Sequence, residues 1–154
     1  MSTIDKETFT LLIKEYTPNM YRLALSMLHN QQDAEDVVSE SVLIAYENLN
    51  QLRNTERFKA WIMQIAANES RKLYRKAKRT SYVDSVEEYL PVFEDKHHEL
   101  WDVIQQMELS FREVIILYYY EQLPIKEISK ILNIPIGTVK SRLSRSKKQL
   151  RDML

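Results

Sequence analysis

The chain has no cysteine and a single glycine among its 154 residues. Without cysteine there is no disulfide and no thiolate metal site, which fits a reducing compartment and makes the cytoplasm the expected location. A soluble protein of this length ordinarily carries about ten glycines. One glycine and four prolines leave little material for tight hairpins or phosphate-cradling loops. Long apolar runs are also missing, since none nears the ~20 residues of a membrane-spanning helix. The opening "MSTIDKETFTLLIKEY" mixes acids with apolar residues and has no basic segment ahead of an apolar core. It does not read as a signal peptide, and no direct membrane insertion is expected.

What the chain does have is charge in blocks. The 22 basic and 22 acidic residues cancel overall. Residues 1–60, however, hold nine acids against six bases, and residues 84–113 hold nine acids against two. Between and after them lie "RKLYRKAKR" (71–79) and "KSRLSRSKKQLR" (140–151), each with six bases and no acid. Two separated basic clusters, each preceded by an acidic stretch, point to two contacts with a polyanion and to further surfaces that face something else.

The apolar residues recur at three- and four-residue spacing, so the chain reads as all-α. Phe9, Leu12, Ile13 and Tyr16 share one helical face, and Pro18 is expected to end or kink that helix. A second helix follows over "NMYRLALSMLHN", with Tyr21, Leu25 and Leu28 aligned. In "QQDAEDVVSESVLIAYENL" Asp33 is the expected N-cap, with Val38, Val42, Ala45, Tyr46 and Leu49 repeating helically. A fourth helix is expected from Asn54 or Thr55, apolar at Phe58, Trp61, Ile62, Ile65 and Ala66 and strongly basic at its far end. Residues 80–97 lack sustained periodicity, contain Pro91 and read as an acidic linker. Helices resume at "LWDVIQQMEL" and "SFREVIILYYYEQL", where Ser110 and Glu113 match a capping box. The expected organisation is a four-helix domain over residues 1–79, the linker over 80–97, and a domain of about four helices over 98–154.

The last two helices carry the most specific pattern. Residues 124–132, with Ile125, Ile128, Ile131 and Leu132 inward, and residues from about 136 onward, with Ile136, Val139, Leu143 and Leu150 inward, are separated by "NIPIG". That is the length and chemistry of a helix-turn-helix. Asn133 suits a left-handed C-cap, and Pro135 stops the first helix. Gly137 falls in the first turn of the second helix, where a missing side chain admits another backbone, either the first helix or a DNA strand. With Val139 and Leu143 inward, Lys140, Ser141, Ser144, Arg145 and Lys148 share the outward face. Short hydroxyls flanked by Arg and Lys suit base edges and phosphates in a major groove.

The first basic cluster differs in kind. It interleaves Trp61, Asn68 and Tyr74 with Arg71, Lys72, Arg75, Lys76, Lys78 and Arg79. Such a mixture can hold unstacked bases while the cations track phosphates. Trp61 also lies on the apolar face, which suits a core residue, and Asn68 also suits a plain polar position where the helix meets solvent.

On these residues the chain resembles the extracytoplasmic-function (ECF) sigma factors of bacterial RNA polymerase. "DAEDVVSES" is similar to the family's acidic segment, "FKAWIMQIAANESRKLYRKAKR" to its promoter-melting helix, and "GTVKSRLSRSKKQL" to its recognition helix. The three stand in the family's order and cover nearly the whole chain. The resemblance implies two helical domains, sigma-2 and sigma-4, with no enzymatic activity and no cofactor. It implies that Asp33, Glu35, Asp36 and Glu40 face core polymerase. It also implies that Asn68 holds a flipped base of the minus-ten element beside Arg71, Lys72, Arg75, Lys76 and Arg79 on the strand backbone. Thr138, Lys140, Ser141, Arg142, Ser144, Arg145 and Lys148 would then read the minus-thirty-five element. Core RNA polymerase, promoter DNA and an anti-sigma factor are the implied partners. Lys72 departs from the family's usual Asp, and Ser129 and Asn133 replace its commoner Ala and Gly.

Two other classes stand beside this reading. A helix-turn-helix regulator acting without polymerase would bind a palindrome alone, and it leaves the acidic third helix and the first basic cluster without a role. A metal enzyme would need Glu94, Asp95, His97, His98 and Glu99, but adjacent histidines point apart and the spacing is not that of a helical metal motif.

Overall fold

The computed structural model describes residues 4–79 and 95–154, with the backbone alone for 95–98. Residue 94 and the side chains of residues 95–98, which hold most of the candidate metal group around His97 and His98, lie outside the described residues, as does most of the expected linker. The chain divides into two units, and each is all-helical among the described residues. No helix among those residues is long and apolar enough to cross a membrane.

The first unit is three mutually packed helices, α1 (Lys6–Leu28), α2 (Gln31–Glu47) and α3 (Phe58–Arg79). The sequence suggests four, because Pro18 should interrupt the first. Instead Pro18 sits inside α1, and the two expected segments are one helix. The reason is burial. Met20, Leu23, Leu25 and Met27 are all 1% exposed or less. Burying each large apolar side chain contributes about 1.5–3 kcal/mol, and together they outweigh the ~3 kcal/mol of a mid-helix proline. Beside the proline the Thr17 hydroxyl donates to the Ile13 carbonyl at 2.6 Å. Because Pro18 is exposed and removes a backbone donor, Pro18→Ala should raise the stability of this unit by about 1–2 kcal/mol in urea unfolding.

α1 opens on Asp5, whose carboxylate accepts the Thr8 N–H at 2.8 Å. That bond holds the Asp5 carboxyl below its ordinary range. α2 opens on Asn30 rather than the expected Asp33. The Asn30 side chain accepts the Asp33 N–H at 2.8 Å, and Asp33 adds negative charge inside the first turn. The inward line of α2 is also displaced from the expected one. Ala34, Val37, Ser41 and Ala45 are buried, Val38 and Val42 flank them, and Tyr46 is 47% exposed. Small residues along the contact line let neighbouring helices approach closely, so the bulkier side chains are pushed to the edges.

Asn54 begins the fourth expected segment where anticipated. Its side chain accepts the Glu56 N–H at 2.9 Å over a short 3₁₀ turn (Thr55–Arg57) that leads into α3. Phe58, fully buried, is the hub of an aromatic cluster. Its ring lies 6.1 Å from Phe9, 6.0 Å from Tyr16 and 5.8 Å from Trp61, and Phe9 in turn lies 5.7 Å from Tyr46. Offset and edge-on rings at these separations stabilise beyond their buried area. The cluster pins the start of α3 and leaves its basic end, residues 75–79, exposed.

The second unit holds α4 (Asp95–Gln105), α5 (Leu109–Ile115), α6 (Ile125–Leu132) and α7 (Ile136–Met153). α4 starts five residues before Leu100, because the polar segment "DKHHE" is helical yet carries no apolar period to reveal it. The Ser110–Glu113 capping box does not form. The N–H groups of Phe111 and Arg112 donate to the Glu108 carbonyl at 3.1 and 2.9 Å, so Ser110 is already helical and Glu113 is buried. The buried Arg112 guanidinium serves that corner instead, donating to the Met107 carbonyl at 2.8 Å. α5 runs on into a π-helical turn (Ile116–Tyr120), closed by Glu121 N–H donating to Ile116 O at 3.0 Å. α7 packs against α5 and α6.

Candidate nucleic-acid interface

α6 and α7 are joined by a turn whose geometry follows from Asn133. Its φ of 55° and ψ of 49° lie in the left-handed region, which asparagine tolerates better than most residues. The N–H of Asn133 donates to Lys130 O at 3.3 Å and that of Ile134 to Ser129 O at 3.1 Å, a Schellman closure. α7 then starts after Pro135. Its inward line is Val139, Leu143 and Ser146, all buried, with the Ser146 hydroxyl donating to Arg142 O at 2.6 Å. Ile136, expected inward, is 44% exposed. Helical spacing aligns it with Val139, but no neighbouring element covers that first turn.

Opposite the buried line, Lys140, Ser141, Ser144, Arg145 and Lys148 are all exposed on α7. Thr138 and Arg142 are half-buried at the flanks. The Ser141 hydroxyl donates to Thr138 O at 3.2 Å, which leaves its lone pairs outward. Gly137 is exposed, has no positive φ, and a Cβ there would meet nothing within 4 Å. α6 therefore does not require this glycine. Lys147 lies away from the stripe, with its Nζ 5.9 and 5.8 Å from the rings of Tyr118 and Tyr119.

The second basic surface is on α3. Asn68, Lys72, Arg75 and Arg79 recur at helical spacing and are exposed, with Lys76 exposed beside them and Arg71 half-buried. Lys72 pairs with Glu69 at 3.3 Å, so its charge is partly compensated inside the helix. Lys78 lies 5.1 Å from the Tyr74 ring centre. Trp61, half-buried and edge-on to Phe58, belongs to the aromatic cluster.

The acidic residues of α2 divide in the same way. Glu35, Asp36 and Glu40 are exposed, while Asp33 is half-buried in the capped first turn. Gln32 donates to Asp36 Oδ1 at 3.0 Å. Burial, and then the Glu35 carboxylate, push the Tyr21 phenol above its ordinary range. Beyond Glu40 the outward side of α2 becomes apolar, with Leu43 57% and Tyr46 47% exposed.

A cleft of about 490 Å³ in the second unit was not anticipated. Leu100, Ile104, Ile115, Tyr119 and Leu150 line it, with Lys147 and Arg151 contributing positive charge. Only the folded arrangement brings these positions together, because they come from α4, α5, the π turn and α7. The one sequence signal was the tyrosine run at 118–120, too long for a single buried face.

Two family models match the chain, the sigma-70 region 2 over residues 12–80 and the sigma-70 region 4 over residues 97–150. The chain is 32% identical to the ECF RNA polymerase sigma factor SigW of Bacillus subtilis, covering 97% of this chain and 90% of that protein. It is 31% identical to RNA polymerase sigma factor SigV of the same organism, with 97% and 92% covered. Among solved structures, its fold is similar to that of the sigma factor RpoE of Bartonella quintana in complex with the anti-sigma factor NepR. That likeness has a TM-score of 0.81 at 23% identity and covers 94% of each chain.

Proposed function

Because the chain belongs to the ECF sigma factors of RNA polymerase, we propose that its two exposed basic stripes read one promoter at two places. As a sigma factor it is not an enzyme; it binds core RNA polymerase and directs promoter recognition and transcription initiation. The observation that carries the assignment of surfaces is the repetition of one arrangement in both units. In each, a long helix has an apolar side buried in its own core and a cationic stripe on its open side.

On this reading α7 enters the major groove of the minus-thirty-five element. Lys140, Ser141, Ser144 and Arg145 face base edges, Thr138, Arg142 and Lys148 face the flanking phosphates, and the bare first turn at Gly137 admits a strand. α3 meets the minus-ten element. Asn68 holds a flipped base, and Arg71, Lys72, Arg75, Lys76 and Arg79 follow the backbone. Extruding a base costs a few kcal/mol, which the amide contact and the cationic stripe must offset. The domain roles follow the expected order, with residues 1–79 as sigma-2, a linker from residue 80, and a sigma-4 domain to residue 154 whose first helix, α4, reaches back to Asp95.

Two surfaces are assigned to polymerase. One is the acidic side of α2 at Asp33, Glu35, Asp36 and Glu40, continued by Leu43. The other is the apolar cleft of the second unit, since a polymerase that sets the spacing between two DNA contacts must grip both domains. Tyr119→Asp should therefore weaken binding to core polymerase about tenfold or more by titration, with little effect on folding because the residue is already 46% exposed. An anti-sigma factor is proposed as a competing partner for the same surfaces, and the cytoplasm as the site of action. A pull-down from the source cell that recovers no such protein would count against that partner.

The test of the function is run-off transcription from a promoter library with core RNA polymerase, with and without the chain. Transcripts that need the chain and share two spaced elements are expected. A chain that instead binds a palindrome alone and supports no such transcripts would replace this reading with a stand-alone regulator.

A further inference from the structure

Ser129 lies in α6, half-buried and outside the α7 stripe assigned to DNA, and no part of the reading above uses it. In the middle of a helix a serine hydroxyl usually bonds back to a carbonyl of the preceding turn. The Ser129 hydroxyl instead reaches forward and donates to the carbonyl of Ile134 at 2.5 Å. The same residue accepts the Ile134 N–H on its own carbonyl at 3.1 Å. Both polar backbone groups of Ile134 are thus held by one residue of the preceding helix.

Ile134 is the last residue before Pro135, which is extended (ψ 151°) and immediately precedes α7. Pro135 has no N–H, and no side chain caps the start of α7. The turn therefore depends on few polar bonds, and its one strained position, Asn133, is a left-handed non-glycine residue. The first turns of α7, which carry Thr138, Lys140 and Ser141, leave directly from this clamp.

We propose that Ser129 is a positioning residue for promoter reading. Its hydroxyl locks the Asn133 turn and so sets the angle at which α7 presents its stripe to DNA. The proposal rests on the assignment of α7 to the minus-thirty-five element. A base contact is sharply distance-dependent, so a turn that rocks by a fraction of an ångström would blunt discrimination between sequences before it weakened phosphate contacts. Ile128, Ile131, Leu132, Val139 and Leu143 hold the two helices together without the hydroxyl, so Ser129→Ala should still fold.

The experiment uses the full chain bound to core polymerase and promoter fragments with an intact or a scrambled minus-thirty-five element. The wild-type complex must prefer the intact fragment. If it does not, the sigma reading fails and the clamp fails with it. With that preference in hand, Ser129→Ala should lower the ratio of affinities about threefold to tenfold, mostly by weakening the intact fragment, and Ser129→Thr should restore it. Glycine adopts the left-handed conformation without the cost that asparagine carries. Ser129→Ala should therefore lose much less discrimination in an Asn133→Gly background. An unchanged ratio in Ser129→Ala, or equal losses in the two backgrounds, would overturn the proposal. So would a loss shared equally by intact and scrambled fragments, which is what a merely structural role predicts.

Discussion

A chain carrying both Lys140→Glu and Arg145→Glu is expected to lose promoter-dependent transcription about a hundredfold or more while keeping its helical content. Both residues are exposed on the open side of α7, opposite the buried Val139 and Leu143. Surface changes of this kind ordinarily move stability by only about 0.5 kcal/mol. Each good contact between a basic side chain and a base edge is worth about 1–3 kcal/mol. Losing two, with carboxylates now facing phosphates, exceeds the ~2.7 kcal/mol that corresponds to a hundredfold. Run-off yield and circular dichroism measured on the same preparation separate the two effects. Binding to core polymerase should be retained, since neither residue lines the apolar cleft. Transcription at the wild-type level would remove α7 from the promoter.

Phe58→Ala should have the largest effect on stability. The side chain is fully buried and meets three other rings between 5.8 and 6.1 Å. Truncating a buried phenylalanine costs about 3–5 kcal/mol. A unit of this size has a total stability of about 4–11 kcal/mol, so much of it would be lost. Each unit carries one of the chain's two tryptophans, Trp61 in the first and Trp101 in the second. In a Trp101→Phe background, urea unfolding followed by Trp61 fluorescence reports the first unit. Its midpoint should fall sharply when Phe58→Ala is added, and transcription should fall too, although Phe58 is buried away from the basic stripe. The loss would come through α3, whose start the cluster pins while its cationic end stays open. An unchanged midpoint would show that the cluster is not what holds this unit together.

Much of the molecule was legible in one dimension because it depends on local periodicity and on charge. Three- and four-residue apolar spacing is a property of the chain itself, so helices were visible wherever one face is buried. The two basic blocks were visible for the same reason, and so was the turn at "NIPIG", where Asn133 and Pro135 act on their own backbone. The outward residues of α7 could be named once Val139 and Leu143 were placed inward, because a helix assigns faces by arithmetic. The motifs that resemble the ECF sigma family lie on these same segments.

What the sequence could not decide was which of several locally allowed choices the packed state selects. Pro18 could have ended a helix, and α1 runs through it because the residues beyond it are buried on nearly every side. Asp33 and Ser110 both had the right chemistry for caps. Asn30 and Glu108 start those helices instead, three and two residues earlier, because a helix start moves when the surrounding backbone finds better hydrogen bonds. On α2, close approach of neighbouring helices gave the contact line to Ala34 and Ala45 and pushed Tyr46 outward. The same is true of the cleft beside Tyr119 and of the reach of Ser129 to Ile134. Neither is a property of any one helix, since both come from how elements meet. Periodicity and charge are local and therefore readable from sequence, whereas the choice among caps, registers and clefts is made by burial, which exists only once the chain has closed on itself.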